Sequence, residues 1–197
     1  QYSRGTIEIN HETYPNRIHS AMEKGIAFVP AERKVEGLFL KQDIAWNTTI
    51  ASLKRICKMN TLSRKEEIKR TESYIQQLHT KANGPNQSVS ALSGGNQQKV
   101  VFAKALLTEP SIWICDEPTQ AVDVATRQEI HRLLREEAKK GKAVLYVSSD
   151  LTELLEIADE VAVMAYGKVR KIFENKDLKP TDVLACCYEA EREENDR

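Results

Sequence analysis

No stretch of this 197-residue chain approaches the roughly 20 consecutive apolar residues that cross a bilayer, and no signal-peptide pattern opens it. Charge of one sign is lacking too. Lys plus Arg and Asp plus Glu number 29 each, so no net field draws the chain to nucleic acid or an anionic membrane. Cysteine is scarce, and Cys57, Cys115, Cys186 and Cys187 fit no zinc spacing. Cys115 reads as a small core residue in an apolar strand, and adjacent Cys186-Cys187 as reduced thiols on a terminal helix. His11, His19, His79 and His131 lie far apart in no motif and read as surface or helix residues. Trp46 and Trp113 have no ligand context, and Trp113 reads as core packing against a helix. No internal repeat is visible, and the length suits one domain with a subdomain.

Periodicity orders what is present. Residues 6–9 alternate like an edge strand, 15–23 form a short helix, and Ile26–Val29 is a β-rich run stopped by Pro30. From Asp43 to about Thr80 the spacing predicts helix, with Ile44, Thr48, Ala51 and Leu53 on one side and Ser63-Arg64-Lys65-Glu66 as a capping box. Residues 81–88, centred on Asn83-Gly84-Pro85, are a turn-rich linker. Helix is then predicted over 95–107, Val124–Lys139 and Leu151–Ile157, with strands over 112–115 and Ala143–Val147 between them. Strands at 160–164 and 168–173 flank the turn Tyr166-Gly167, a last helix covers 180–189, and 192–197 is a charged tail expected to fray. The alternation predicts a parallel sheet covered on both faces.

Two segments carry chemistry. Leu92-Ser93-Gly94-Gly95-Asn96-Gln97-Gln98-Lys99 places a Ser-Gly-Gly turn at a helix start, where free N–H groups and the helix dipole favour an anion. Glycine suits that turn because a Cβ would hold the N–H groups away from phosphate oxygens. Lys99 is unfavourable in a first turn unless an anion lies nearby. Ser111-Ile112-Trp113-Ile114-Cys115-Asp116-Glu117-Pro118-Thr119 is an apolar run ending in adjacent carboxylates, at a strand tip where open parallel sheets bind ligands. An anion-binding helix start with a strand-tip Asp-Glu points to a nucleotide, Mg²⁺ and a water to be activated.

Together these segments resemble the signature and Walker B motifs of an ABC-transporter ATPase. Asn96-Gln97-Gln98-Lys99 is similar to the second cassette of the tandem ATPases that energise bacterial sugar importers of the ribose, galactose and xylose type. Gly25-Ile26-Ala27-Phe28-Val29-Pro30-Ala31-Glu32-Arg33-Lys34, with Glu36-Gly37-Leu38, resembles the segment that replaces the Q-loop there. Asp123-Val124 after Pro118-Thr119-Gln120 matches the D-loop, and Val147-Ser148-Ser149-Asp150-Leu151 the switch region. The similarity covers roughly residues 5–175.

The resemblance implies roles. Asp116 would hold Mg²⁺ through water and Glu117 would polarise the attacking water. Ser93, Gly94, Gly95, Asn96 and Gln97 would meet the ATP γ-phosphate held by the opposite cassette, and Asp123 would bridge the two cassettes. Ser149 stands at the switch where many relatives have His, and Ala31 where Gln reaches metal and water; Ala121-Val122 replaces a more flexible D-loop pair. No Gly-x-x-x-x-Gly-Lys-Ser/Thr loop exists: the Gly-Lys pairs, Gly141-Lys142 and Gly167-Lys168, are followed by Ala143 and Val169. The chain opens with Gln1, and the expectation is a piece cut just downstream of that loop.

The implied fold is an α/β, P-loop NTPase-type, mostly parallel sheet, truncated at its N-terminus, with an inserted α-helical subdomain. Residues 1–42 and 91–175 would form the partial core, 43–90 the helical subdomain, and 176–197 a terminal helix and tail. Implied partners are a second ATPase cassette, membrane permease subunits docking near Phe39, Leu40 and Ile44, and indirectly a periplasmic sugar-binding protein, with no nucleic acid. The location would be cytoplasmic, peripheral on the inner face of the membrane. The alternative is a non-catalytic half that only donates its signature motif to a partner's ATP.

Overall fold

A computed structural model of the protein describes residues 6–9, 11–13, 18–58 and 61–195. Gly5, the first turn of the helix expected at 15–23 and the last two residues of the tail lie outside them. By contact the chain divides into two units, Gln1–Val147 and Ser148–Arg197.

The first unit opens with β1 (Glu8–Ile9) paired antiparallel to β2 (Glu12–Thr13), then α1 (Ile18–Glu23) and β3 (Ile26–Val29). A π-helical turn over Arg33–Gly37 follows. The helical lobe begins at α2 (Ile44–Thr49), whose N-cap Asp43 accepts from the Trp46 N–H at 2.7 Å. The continuous helix expected from Asp43 to Thr80 is broken. A 3₁₀ turn over Ile50–Ser52 tightens the winding before α3 (Leu53–Ile56), which leaves Leu53 38% exposed while Ile56 is buried. β4 (Cys57–Lys58) pairs antiparallel with β5 (Thr61–Leu62), ahead of α4 (Arg64–Gln77). Ser63 caps α4 by accepting from the Glu66 N–H at 3.3 Å, and the Glu66 carboxylate pairs with Arg70.

Arg64 knits this lobe together. Its Nη1 donates to the buried Glu67 carboxylate at 2.7 Å, and its Nη2 reaches Asp43 and Asn86, each at 2.6 Å. Glu67 also accepts from Thr49 Oγ1 at 2.7 Å, so the buried charge is paired and hydrogen-bonded. After a 3₁₀ turn at Val89–Ala91, α5 (Gly94–Leu107) packs on α2, α4 and β3.

β6 (Ile112–Asp116), α6 (Val124–Lys139) and β7 (Ala143–Val147) complete the unit. The parallel sheet runs β3-β6-β7, with Phe28 beside Ile114 and Ile114 beside Leu145. One face carries Ala27, Val29, Trp113 and Cys115, all buried, with Trp113 stacked on Phe102 of α5 at 6.0 Å. Tyr146 shares that face and meets His131 of α6 edge-on. Burial pushes the Cys115 thiol up to about 12, so it stays protonated as an inert core group. The opposite face is partly exposed: Phe28 is 53% and Leu145 57% exposed, while Ile26, Ile112 and Ile114 are half-buried. A period-2 strand presents alternate residues to each face, and α5 and α6 both lie on the Trp113 side.

The second unit holds α7 (Leu151–Ile157), an antiparallel pair β8 (Glu160–Ala165) and β9 (Lys168–Glu174), and α8 (Pro180–Asn195) packed on that pair. α8 runs past the expected end at 189 into the segment read as a fraying tail.

Candidate nucleotide site

Ser93 caps α5 from an extended conformation, its Oγ accepting from the Asn96 N–H at 3.4 Å and from Asn96 Nδ2 at 2.8 Å. With its lone pairs so engaged, the exposed hydroxyl keeps its proton as a donor. Asn96 Oδ1 accepts from the Lys81 N–H at 2.8 Å, which ties the linker to the turn. Helix geometry gives the Gly94 and Gly95 N–H groups no intrahelical acceptor, the arrangement with which helix starts can hold anions. Close packing demands glycine at Gly95, whereas the flexible Arg33 side chain is what borders Gly94. A Cβ on Gly95 would lie 2.7 Å from Thr126 Oγ1, and one on Gly94 would lie 2.8 Å from Arg33 Nη2.

Asp116 ends β6 beside Val147 of β7. Glu117 then leaves the strand in the left-handed region, φ +43°, while its N–H donates to the Val147 carbonyl at 2.9 Å. A non-glycine residue held in that way stores about 1–3 kcal/mol, and such residues gather at functional sites. The half-buried carboxylates of Asp116 and Glu117 thus leave a rigid strand tip in two directions set by the backbone.

The chain beyond Glu117 is tethered to α5. Gln98 Nε2, buried, donates to the Pro118 carbonyl at 2.7 Å. Arg33 donates to the Gln120 and Ala121 carbonyls at 2.8 and 3.4 Å, and Ala121 is itself left-handed at φ +54°. Asp123 caps α6, accepting from the Thr126 N–H at 2.9 Å and from Thr126 Oγ1 at 2.8 Å. The bond from the Thr126 backbone first, then that from its hydroxyl, hold the Asp123 carboxyl below its ordinary value.

The structure therefore brings Ser93, Gly94, Gly95, Asn96 and Asp123 together and, through Pro118, links them to Asp116 and Glu117. Gln97 faces inward, buried, its Nε2 donating to the Val89 carbonyl at 3.2 Å. The anion that Lys99 calls for is within the chain: its ammonium pairs with Glu129 of α6 and donates to the His79 carbonyl at 3.1 Å. Ser149 belongs to the second unit, exposed, next to the α7 cap Asp150. Arg33 and Gln98 stand inside the motif segments, yet their bonds are invisible in the sequence because their acceptors lie 87 or 88 and 20 residues away.

Among the described residues no three His, Cys, Asp or Glu side chains group to hold a metal, and no helix is long and apolar enough to cross a membrane. The family model for the ABC transporter matches residues 1–120. The chain belongs to the ABC transporter family. It is 39% identical over 181 residues to the ribose import ATP-binding protein of Shouchella clausii, covering 91% of this chain and 36% of that protein. Identity to the xylose import ATP-binding protein of Geobacillus kaustophilus is 35% over 184 residues, covering 93% and 36%. The galactose/methyl galactoside import ATP-binding protein of Treponema pallidum is 41% identical over 162 residues, covering 82% and 32%. The chain thus spans about a third of the length of these curated relatives. The solved ATP-binding cassette MJ0796, bound to ADP and Pi, superposes with a TM-score of 0.74 over 88% of this chain and 75% of that one, at 23% identity. The fold is that of an ABC ATPase cassette, the α/β P-loop NTPase type.

Proposed function

We propose that this chain is part of the ATP-binding subunit of a carbohydrate importer, with the Ser93–Asn96 turn facing the γ-phosphate of a nucleotide held by a second cassette. The observation that carries the reading is the tethered pair of elements: an anion-ready helix start bonded, through one short segment, to a strand tip with two carboxylates. These residues fit Mg²⁺, which is held through one or two carboxylates plus phosphates and waters rather than by an all-protein cage. When bound, the ion would neutralise phosphate charge. Asp116 would hold it through water, and Glu117 would accept the proton of the attacking water. Ser93 would donate its free O–H proton, and the Gly94 and Gly95 N–H groups would meet phosphate oxygens.

Permease subunits and a peripheral position at the inner membrane face complete the proposal. Exposed Val35 and Phe39 support it, with Phe39 packed edge-on against Trp46 at 4.6 Å beside the π-helical turn, because an exposed apolar patch marks a protein contact; Ile44, expected in that patch, is instead a buried core residue of α2. A periplasmic sugar-binding protein would act only through the permease.

A second reading, a half that donates Ser93–Asn96 and hydrolyses nothing, is favoured by Ala31 and Ser149 at the sensor positions. The test is a chimera in which this chain replaces the matched 181 residues of the Shouchella clausii relative. Under both readings S93R abolishes its ATP turnover, because the arginine fills the phosphate position. Unchanged turnover in S93R would overturn the proposal, and dependence on Glu117 separates the two readings.

A further inference from the structure

Arg33 sits in the π-helical turn after β3, yet its guanidinium serves a segment 87 residues further along the chain. Nη1 holds the Gln120 carbonyl and Nη2 the Ala121 carbonyl, and Nη2 also borders the space where a Gly94 Cβ would stand. The head group is partly withdrawn from water, with Nε buried and without a hydrogen-bond partner. An arginine kept only for solubility would leave all its donors wet, since a buried unpaired donor is unfavourable. The turn carrying Arg33 is fixed on α5 in its own right. Lys104 donates to the Gly37 carbonyl, and a Cβ on Gly37 would lie 3.2 Å from Val101 Cγ2.

We propose that Arg33 is a positioning residue, a clamp that holds the 120–121 carbonyls against the signature turn and keeps Ala121 left-handed. The proposal rests on reading Ser93–Asn96 as the nucleotide-facing turn and deepens it. Arginine suits the task because its rigid fork spans adjacent carbonyls, whereas lysine offers a single point of charge. By joining the π-helical turn, the signature turn and the segment after Glu117, the clamp fixes the signature turn relative to the strand tip. Arg33 lies against Gly94 and acts through the carbonyls it bonds at 120 and 121. Its loss therefore lowers kcat and leaves the KM for ATP in place.

Hydrogen exchange on the full chain, read by mass spectrometry, tests the clamp without nucleotide. In R33A, amides in 93–96 and 119–123 should exchange about tenfold faster, the loss expected for a charge-assisted hydrogen bond, while α4 is unchanged. R33K, able to hold one carbonyl, should fall between. The same substitutions in the chimera should lower kcat in the order R33K then R33A, at constant KM. Unchanged exchange in 93–96 and 119–123, or an equal rise in α4, would overturn the clamp. A wild-type chimera without ATP turnover, beside the expected exchange pattern, would instead overturn the functional reading and leave the clamp standing.

Discussion

Gly95 of α5 lies so close to Thr126 of α6 that a Cβ there would stand 2.7 Å from Thr126 Oγ1 and 3.0 Å from Asp123 Oδ2. The second signature glycine is thus a packing requirement between two helix starts as well as part of the proposed anion site. G95A must break the Asp123–Thr126 cap or push the helices apart, at about 1–3 kcal/mol. Its melting temperature should fall by several degrees, and adding T126A, which removes the obstructing hydroxyl, should cost less than the two single losses summed. Thermal melts of both single variants and the double check this; additive losses would contradict the contact.

Ala121 holds φ +54° without being glycine. A left-handed L-residue is disfavoured by about 1–2 kcal/mol, which glycine does not suffer. A121G should therefore raise the melting temperature by roughly 2–4 °C, the shift of about 1 kcal/mol in a chain of this size. A lowered melting temperature would show that the Ala121 methyl makes contacts worth more than the strain.

Glu137 of α6 is 2% exposed, with Lys140 at 2.7 Å and Lys142 closer still. Burial pushes its carboxyl up, but the hydrogen bonds and charges of Lys140 and Lys142 outweigh this and hold it below the ordinary value. A lowered folded value means that the stabilisation is full above the ordinary glutamate range, about 4.3, and is lost as pH falls through the folded value. E137Q should be less stable than wild type at neutral pH, and the gap should close on acidification. Urea midpoints of both proteins across that range decide it; a gap independent of pH would contradict the pairing.

What was legible in the sequence was local. Val124–Lys139, Ala143–Val147 and Leu151–Ile157 stand where the sequence pattern placed them, and Ile26–Val29 stands where a β-rich run is stopped by Pro30. The pairing of β4 with β5 was not legible, since two-residue strands show no period within a charged, helix-like stretch. Nor was the exposure of Phe28 and Leu145, because both belong to apolar runs that read as buried from sequence. Ser93 and Glu117 could be picked out because a cap and a strand tip are defined by their neighbours. Arg33 could not, its acceptors being 87 and 88 residues away.

Steady-state ATP hydrolysis by the chimera carrying E117Q tests the central claim most directly. If Glu117 takes the proton from the attacking water, kcat should fall by roughly 10²–10⁴-fold, the size of a general-base contribution, with KM for ATP unchanged. Turnover equal to that of the wild-type chimera, with S93R still inactive, would contradict it and leave this chain as the donor of a signature turn alone.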